Sequence, residues 1–257
     1  MRIVRVARPD GPAFGVVRDT EQGEVVELIA PHPFAEFAGT GQVAPLERVK
    51  LLAPVIPTKI LAIGRNYADH AAEMGGEVPP EPLVFAKLPT TVIGPDDAIV
   101  LPELSGEVHH EAELAVVVKR IARQVPVERA HEAILGYTCA NDVTARDLQR
   151  TDGQWTRAKG FDTFCPLGPW ISTDLDLADA AAHRRVNGQT RQDGSTRDLV
   201  FSIPQLVSHL SAFTTLLPGD VILTGTPAGV GELRDGDTVE VEVGGIGVLR
   251  NPVRAEA

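Results

Sequence analysis

The tightest limit on what this chain can become lies in ten residues, HHEAELAVVV, at positions 109–118. The run of small and β-branched apolar residues reads as a strand entering a core, yet two glutamates stand near its start. Side chains alternate along a strand, so Ala112, Leu114, Val116 and Val118 share one face, and Glu111, Glu113, Ala115 and Val117 share the other. The two carboxylates then project the same way, about 7 Å apart along the strand. Two like charges at a partly buried edge are unfavourable unless something positive sits between them. A fold that accepts this strand must bring a cation to it.

The rest of the chain gives that strand a large core to enter. Its 257 residues suffice for one large domain, or one domain with a small appendage, and 43% of them are hydrophobic. Aromatic residues are scarce, while 24 glycines and 20 prolines punctuate the sequence, so many turns and a strand-heavy architecture are expected. The net charge of −11, with no basic block, excludes a general nucleic-acid surface and leaves carboxylates to spare for metal binding. Cys139 and Cys165 lack a metal-ligand spacing, which points to a reduced, cytoplasmic protein, although a disulfide between them stays open. The start, MRIVRVARPDG, has no signal-like apolar stretch, and no apolar run approaches the roughly 18 residues of a membrane span. Neither export nor membrane insertion is expected.

Short strands RIVRVA, AFGVVRD and GEVVELI, separated by Gly, Pro and Asp turns, mark residues 1–57 as a small β-rich N-terminal domain with its connector. Residues 58–257 then carry longer apolar strands with Gly- and Pro-rich joints. Three helices are predicted: NYADHAAEMG, ending at Gly75; PVERAHEAILG, from Pro126 to Gly136; and SIPQLVSHLSAFTTLLPG, ending at Pro218-Gly219. In the last, Ser202 can cap, and Ile203, Leu206, Val207, Leu210 and Phe213 follow the helical period. A further helical pattern starts across Thr144 to Gln149. Asn187-Gly188 marks a hairpin turn, and DGDTVEVEVGGIGVLRNPV alternates like a terminal hairpin. The fold class is mainly β with peripheral helices (α+β).

Chemistry gathers at a few places. After the strand-like YTCA come Asn141 and Asp142, and a third carboxylate at a strand end could converge with Glu111 and Glu113. Three carboxylates without a His or Cys partner form an all-oxygen site suited to Mg²⁺, Mn²⁺ or Ca²⁺. The alternative is a pair of solvated glutamates at a fraying strand. His70 and Glu73, three apart on a short helix, share a face; the carboxylate can orient the imidazole as a general base for water, or the two can be an ordinary surface pair. Lys159, between Gly- and Pro-containing turns, can stabilise an enolate or oxyanion near a divalent ion, or simply be solvated. LTGTPAGVGE lacks the ending of a phosphate loop and leads into a strand; its amides and Thr226 could instead grip a carboxylate. A cysteine nucleophile is not expected, and His109, His110 and His209 read as structural.

Six motifs in order carry a resemblance: GRNYADHAAE, HHEAELAVVV, CANDVTARDLQ, WTRAKGFDTFCPLGPW, FSIPQLVSHLS and PGDVILTGTPAGVG. Together they resemble the fumarylacetoacetate hydrolase (FAH) family over residues 58–253, and the first fifty residues look like the small extra domain of some bacterial members. The resemblance implies a mixed β-sandwich roll, usually a homodimer, binding Mg²⁺ or Mn²⁺ through Glu111, Glu113 and Asp142. It implies Lys159 as the lysine of the site, His70 and Glu73 as the dyad of a mobile lid, and Gln149, Thr226 and Arg65 as substrate contacts. Family reactions include C–C hydrolysis of acylpyruvates or fumarylacetoacetate, decarboxylation of oxaloacetate, and isomerisation or hydration of unsaturated 2-oxo acids. The dyad favours hydrolase or decarboxylase over an isomerase of 2-hydroxyhepta-2,4-diene-1,7-dioate or a 5-carboxymethyl-2-hydroxymuconate type of intermediate. A silent member that only binds metal and small acids is the reading from another class.

Overall fold

The computed structural model describes residues 1–177 and 180–256. Strand Ala112–Val118 lies in the middle of a twelve-stranded sheet and is buried along its whole length. On one side it pairs antiparallel with Ile134–Asn141, in a register that sets Ala112 opposite Asn141; on the other it pairs antiparallel with Val221–Leu223. Beyond Val221–Leu223 come Ile60–Gly64, paired in parallel, and the edge strand Leu83–Lys87. Both faces of the central strand are covered. Leu114 and Val116 join a large cluster with Val239, Val241 and Leu249, which belong to a second, five-stranded sheet. Ala115 and Val117 pack with Leu167, Ile171 and Val221 on the opposite face. A strand buried on both sides reads as the near-continuous apolar run seen in the sequence.

The N-terminal strands Arg2–Val6, Ala13–Thr20, Gly23–Ala30 and Ala38–Pro45 form an antiparallel meander. Arg2–Val6 pairs with Cys165–Ser172, itself the neighbour of Ile134–Asn141, so the meander extends the large sheet. Val4, Val6, Val17 and Val26 close a small cluster of their own, while Ile3 reaches into the core beneath the central strand.

The mainly β class with a few outer helices is as expected. Asn187, at φ 50°, and Gly188 form the hairpin between Ala181–Val186 and Gln189–Ser195. Thr238–Val243 and Gly247–Ala255 form the terminal hairpin. Helix Ile203–Phe213 begins after Ser202, whose N–H donates to Gln205 Oε1 at 2.8 Å. Its face differs in one place: Phe213 is exposed, unlike Ile203, Leu206, Val207 and Leu210. The helix also stops before Pro218-Gly219, because Leu216 leaves it to pair with Ala122. Two further expectations need correction. The segment from Pro126 is a 3₁₀ turn, Val127–Ala133, because Ile134 and Gly136 are taken by the sheet. Thr144–Ala145 pairs with Val108–His110 as a strand, so the next helix starts only at Arg146 and runs Arg146–Asp152.

Candidate active site

The central register decides where the acids meet. Asp142 follows strand Ile134–Asn141 directly, and its N–H donates to the Glu111 carbonyl at 2.8 Å. Glu111 sits at the joint between Val108–His110 and Ala112–Val118, and Glu113 lies one side-chain repeat further along. One oxygen from each of Glu111, Glu113 and Asp142 lies within 4.8 Å of the others, and all three residues are buried.

The cation that the sequence demanded is Lys159, on the short helix Thr156–Lys159. Its ammonium donates to Glu111 Oε2 at 2.8 Å and to Asp142 Oδ2 at 2.6 Å, bridging two chain segments. It also lies 4.9 Å from the centre of the Phe85 ring. Arg146 pairs with Glu111 Oε1 and donates to Gln149 Oε1 at 2.8 Å. Lys87 donates to Asp142 Oδ1 at 2.6 Å. Burial alone would raise the Glu111 carboxyl, but Lys159 and Arg146 beside it outweigh that and hold it below the usual carboxylate range. Burial lowers the Lys159 ammonium less than Asp142 and Glu111 raise it.

Glu113 is the exception. Its hydrogen bond is the 2.7 Å contact from the Gly225 N–H, and no cation pairs with it among the described residues. Burial first, then repulsion from Asp142 and Glu111, push its carboxyl well above the ordinary value. Gly225 is there for a steric reason. At φ +101° a side chain is strained, and a Cβ would lie 2.8 Å from the Asn66 Cβ. An all-oxygen, buried donor set with one uncompensated carboxyl fits a hard divalent cation.

Opposite the acids, helix Ala68–Glu73 carries the dyad. His70 Nδ1 lies 3.0 Å from Glu73 Oε2, and Glu73 Oε1 accepts the Gly229 N–H at 2.9 Å. His70 is 6% exposed, so its imidazole faces the interior rather than bulk water. The loop before it is held by Asn66, which donates to the carbonyls of Thr224 at 2.8 Å and Phe201 at 3.1 Å and accepts from Phe201 N–H. Arg65 occupies the left-handed region at φ 57°.

A cavity of about 230 Å³ lies between these groups, walled by Arg65, His70, Glu111, Glu113, Gln149, Lys159 and Thr226 together with Phe85, Arg146 and Trp155. Asp142 and Glu73 do not line it but contact residues that do, Lys159 and His70. All the positions singled out from sequence therefore gather here. Thr226 and Gln149 are also tied to the protein. The Thr226 hydroxyl donates to the Ala112 carbonyl at 2.8 Å and accepts from Gln192 Nε2 at 2.8 Å.

Arg146 and Lys87 were missed. Arg146, three residues before Gln149 in TARDLQ, could have been found as its helical neighbour. Lys87 ends the apolar strand Leu83–Lys87, and a charge closing such a run is its signal. Of the remaining groups, His109 pairs with Glu107 at 3.3 Å, and His209 packs edge-on against Phe213. Both cysteines are free and buried, their thiols pushed up to about 12 by desolvation.

Residues 59–254 match the family described as Fumarylacetoacetate (FAA) hydrolase C-terminal, and residues 1–54 match Rv2993c-like, N-terminal. The crystal structure of 5-carboxymethyl-2-hydroxymuconate delta-isomerase from Mycobacterium smegmatis is 53% identical, with each chain fully covered and a TM-score of 0.94. The mitochondrial oxaloacetate tautomerase FAHD2A of Bos taurus is 39% identical over 288 residues, covering 98% of this chain and 91% of that one. Maleylpyruvate hydrolase from Sphingobium sp. SYK-6, solved with manganese(II) and pyruvate, is 32% identical with full coverage of both chains and a TM-score of 0.82.

Proposed function

This chain belongs to the fumarylacetoacetate hydrolase family, whose members are enzymes, and on that footing we infer that it is a divalent-cation-dependent enzyme acting on 2-oxo acids through an enolate. Its reaction is C–C hydrolysis of an acylpyruvate or decarboxylation of oxaloacetate. The observation that carries this reading is the set of three buried carboxylates facing a His–Glu pair across one small cavity.

Glu111, Glu113 and Asp142 would hold Mg²⁺ or Mn²⁺. The cation, when bound, acts as a Lewis acid for the carboxylate and keto oxygens of a 2-oxo acid and so favours charge developing on the keto oxygen. Lys159 has three N–H donors and commits two of them to Glu111 and Asp142. The third is left for an anionic substrate oxygen. Because Nδ1 of His70 is engaged by Glu73, Nε2 is the atom that takes a proton from water. Glu73, fixed by the Gly229 amide, stabilises the imidazolium that results. Arg65, Gln149 and Thr226 contact the substrate from the walls. Decarboxylation needs no water, and there the same residues orient the departing carboxylate. Support comes from the neighbour holding manganese and pyruvate, a simple 2-oxo acid.

Isomerisation is the second reading, since the same shielded, carboxylate-held imidazole can also pass a proton between substrate carbons. Relatives named as isomerase and tautomerase support it. Residues 1–57 would be a small N-terminal domain and 58–257 the catalytic domain, in a cytoplasmic homodimer. Among the described residues no helix is long and apolar enough to cross a membrane.

The test is a panel of oxaloacetate, acetylpyruvate, fumarylpyruvate and a muconate-type dioate, each with Mg²⁺ or Mn²⁺ and followed by mass spectrometry. EDTA should abolish turnover and added cation restore it; activity surviving complete chelation overturns the reading. His70→Ala should slow C–C hydrolysis by about 10²- to 10⁴-fold. Undiminished hydrolysis in that variant removes the water-activating role. Oxalate binding with no product from any substrate would instead identify a silent acid-binding member.

A further inference from the structure

Lys87 is among the largest fully buried side chains of the described residues, and its side chain is 0% exposed. A buried ammonium is costly unless its donors are satisfied. Here all three are placed: Asp142 Oδ1 at 2.6 Å, the Lys159 carbonyl at 2.6 Å and the Val143 carbonyl at 3.3 Å. No donor remains for a substrate, and Lys87 is absent from the cavity wall. It cannot act on a reacting atom directly.

Its partners are what matter. One is Oδ1 of Asp142, whose Oδ2 accepts from Lys159. Another is the backbone from which the Lys159 side chain springs. Phe85, two residues earlier on strand Leu83–Lys87 and so on the same face, lies under the Lys159 ammonium. One face of one edge strand thus reaches Lys159 at its base and its tip, and Asp142 from behind.

We propose that Lys87 is a positioning residue that holds the Asp142 carboxylate and Lys159 in the geometry needed for the metal and substrate site. This rests on the reading of the three carboxylates as that metal site. It sets the Asp142 rotation by occupying Oδ1, leaving Oδ2 turned toward Lys159, and it anchors the Lys159 backbone while one N–H of that ammonium remains for substrate.

A charge-balancing role gives the opposite sign in a binding experiment. If Lys87 merely offset negative charge, its loss would remove a repelling cation, and a divalent ion would bind more tightly. If it positions Asp142, its loss frees the carboxylate and weakens binding. The experiment is Mn²⁺ titration, followed by electron paramagnetic resonance, of the wild-type chain and Lys87→Met. A weakening of about 10- to 100-fold is expected, as for other residues that orient a metal ligand. Equal or tighter binding by the folded variant overturns the proposal. Lys87→Gln, which keeps a donor for one partner, should fall between the two, and it serves if Met does not fold. A crystal structure of either variant without metal provides the second readout. Asp142 should be rotated or Lys159 displaced from its bridge to Glu111. Both found in place overturn the proposal, even if the wild-type chain itself takes up no Mn²⁺, which would sink the metal reading alone.

Discussion

Two regions of this molecule use the same ion-pair chemistry to different ends. In the N-terminal meander Arg2 pairs with Asp19 and Glu24, and Arg18 with Glu27, with side-chain exposures from 24% to 83%. At the centre, Lys87, Asp142, Lys159 and Glu111 pair with side-chain exposures between 0% and 6%. In water, such a pair contributes about 0–1 kcal/mol, because solvent screens it and two long side chains lose freedom. Out of water, the pair adds little net stability over apolar packing, but breaking it leaves a buried charge and costs about 3–5 kcal/mol. The outer pairs stay in contact with solvent, which can replace a lost partner. The inner ones have no such replacement, and that constraint serves a site.

Lys159→Met should strike this contrast hardest. It strips a bridging ammonium from Glu111 and Asp142, and unfolding in urea without metal should show a loss of about 3–5 kcal/mol. A loss below about 1 kcal/mol would mean that the centre tolerates charge as the surface does. Ile3→Val trims the residue by which the meander reaches the deep core, and a loss of about 0.5–1.5 kcal/mol is expected in the same experiment. Packing, not charge, would then be the main tie of that region. Arg2→Ala should cost no more than about 1 kcal/mol, and less in high salt. A larger, salt-insensitive loss would erase the distinction.

The thiols test the dryness of the interior with the smallest signal. Cys139 and Cys165 ionise near 12 when folded, against 9.0 ordinarily, so the unfolded chain holds fewer protons between those values. The contribution of the two thiols to stability is therefore full below about pH 9 and is lost as pH rises toward 12. Native protein at pH 8 should resist alkylation at both cysteines, with labelling only in denaturant, as read by mass spectrometry. Rapid native labelling would show that water reaches the core.

Much of this was legible beforehand. The alternation that put Glu111 and Glu113 on one face is a local property of a strand, and so is the position of Asp142 at the end of the next one. The hairpin at Asn187-Gly188 and the helix after Ser202 announce themselves through turn and cap chemistry. The segment from Pro126 misled because its composition suits a helix, yet Ile134 to Gly136 are worth more to the sheet. Lys87 stayed hidden because the charge that closes LVFAK does not say what it pairs with, and its partner Asp142 is 55 residues away.

By itself the sequence determined the family, the mainly β character and the positions of the carboxylates, since these follow from short-range periodicity and ordered motifs. The tertiary structure alone decided which cations stand beside which acids, that Glu113 has no paired cation among the described residues, and that strand Arg2–Val6 joins Cys165–Ser172. Those pairings bring together groups tens to well over a hundred residues apart. Their energies depend on burial, and burial exists only once the sheets have closed over the site.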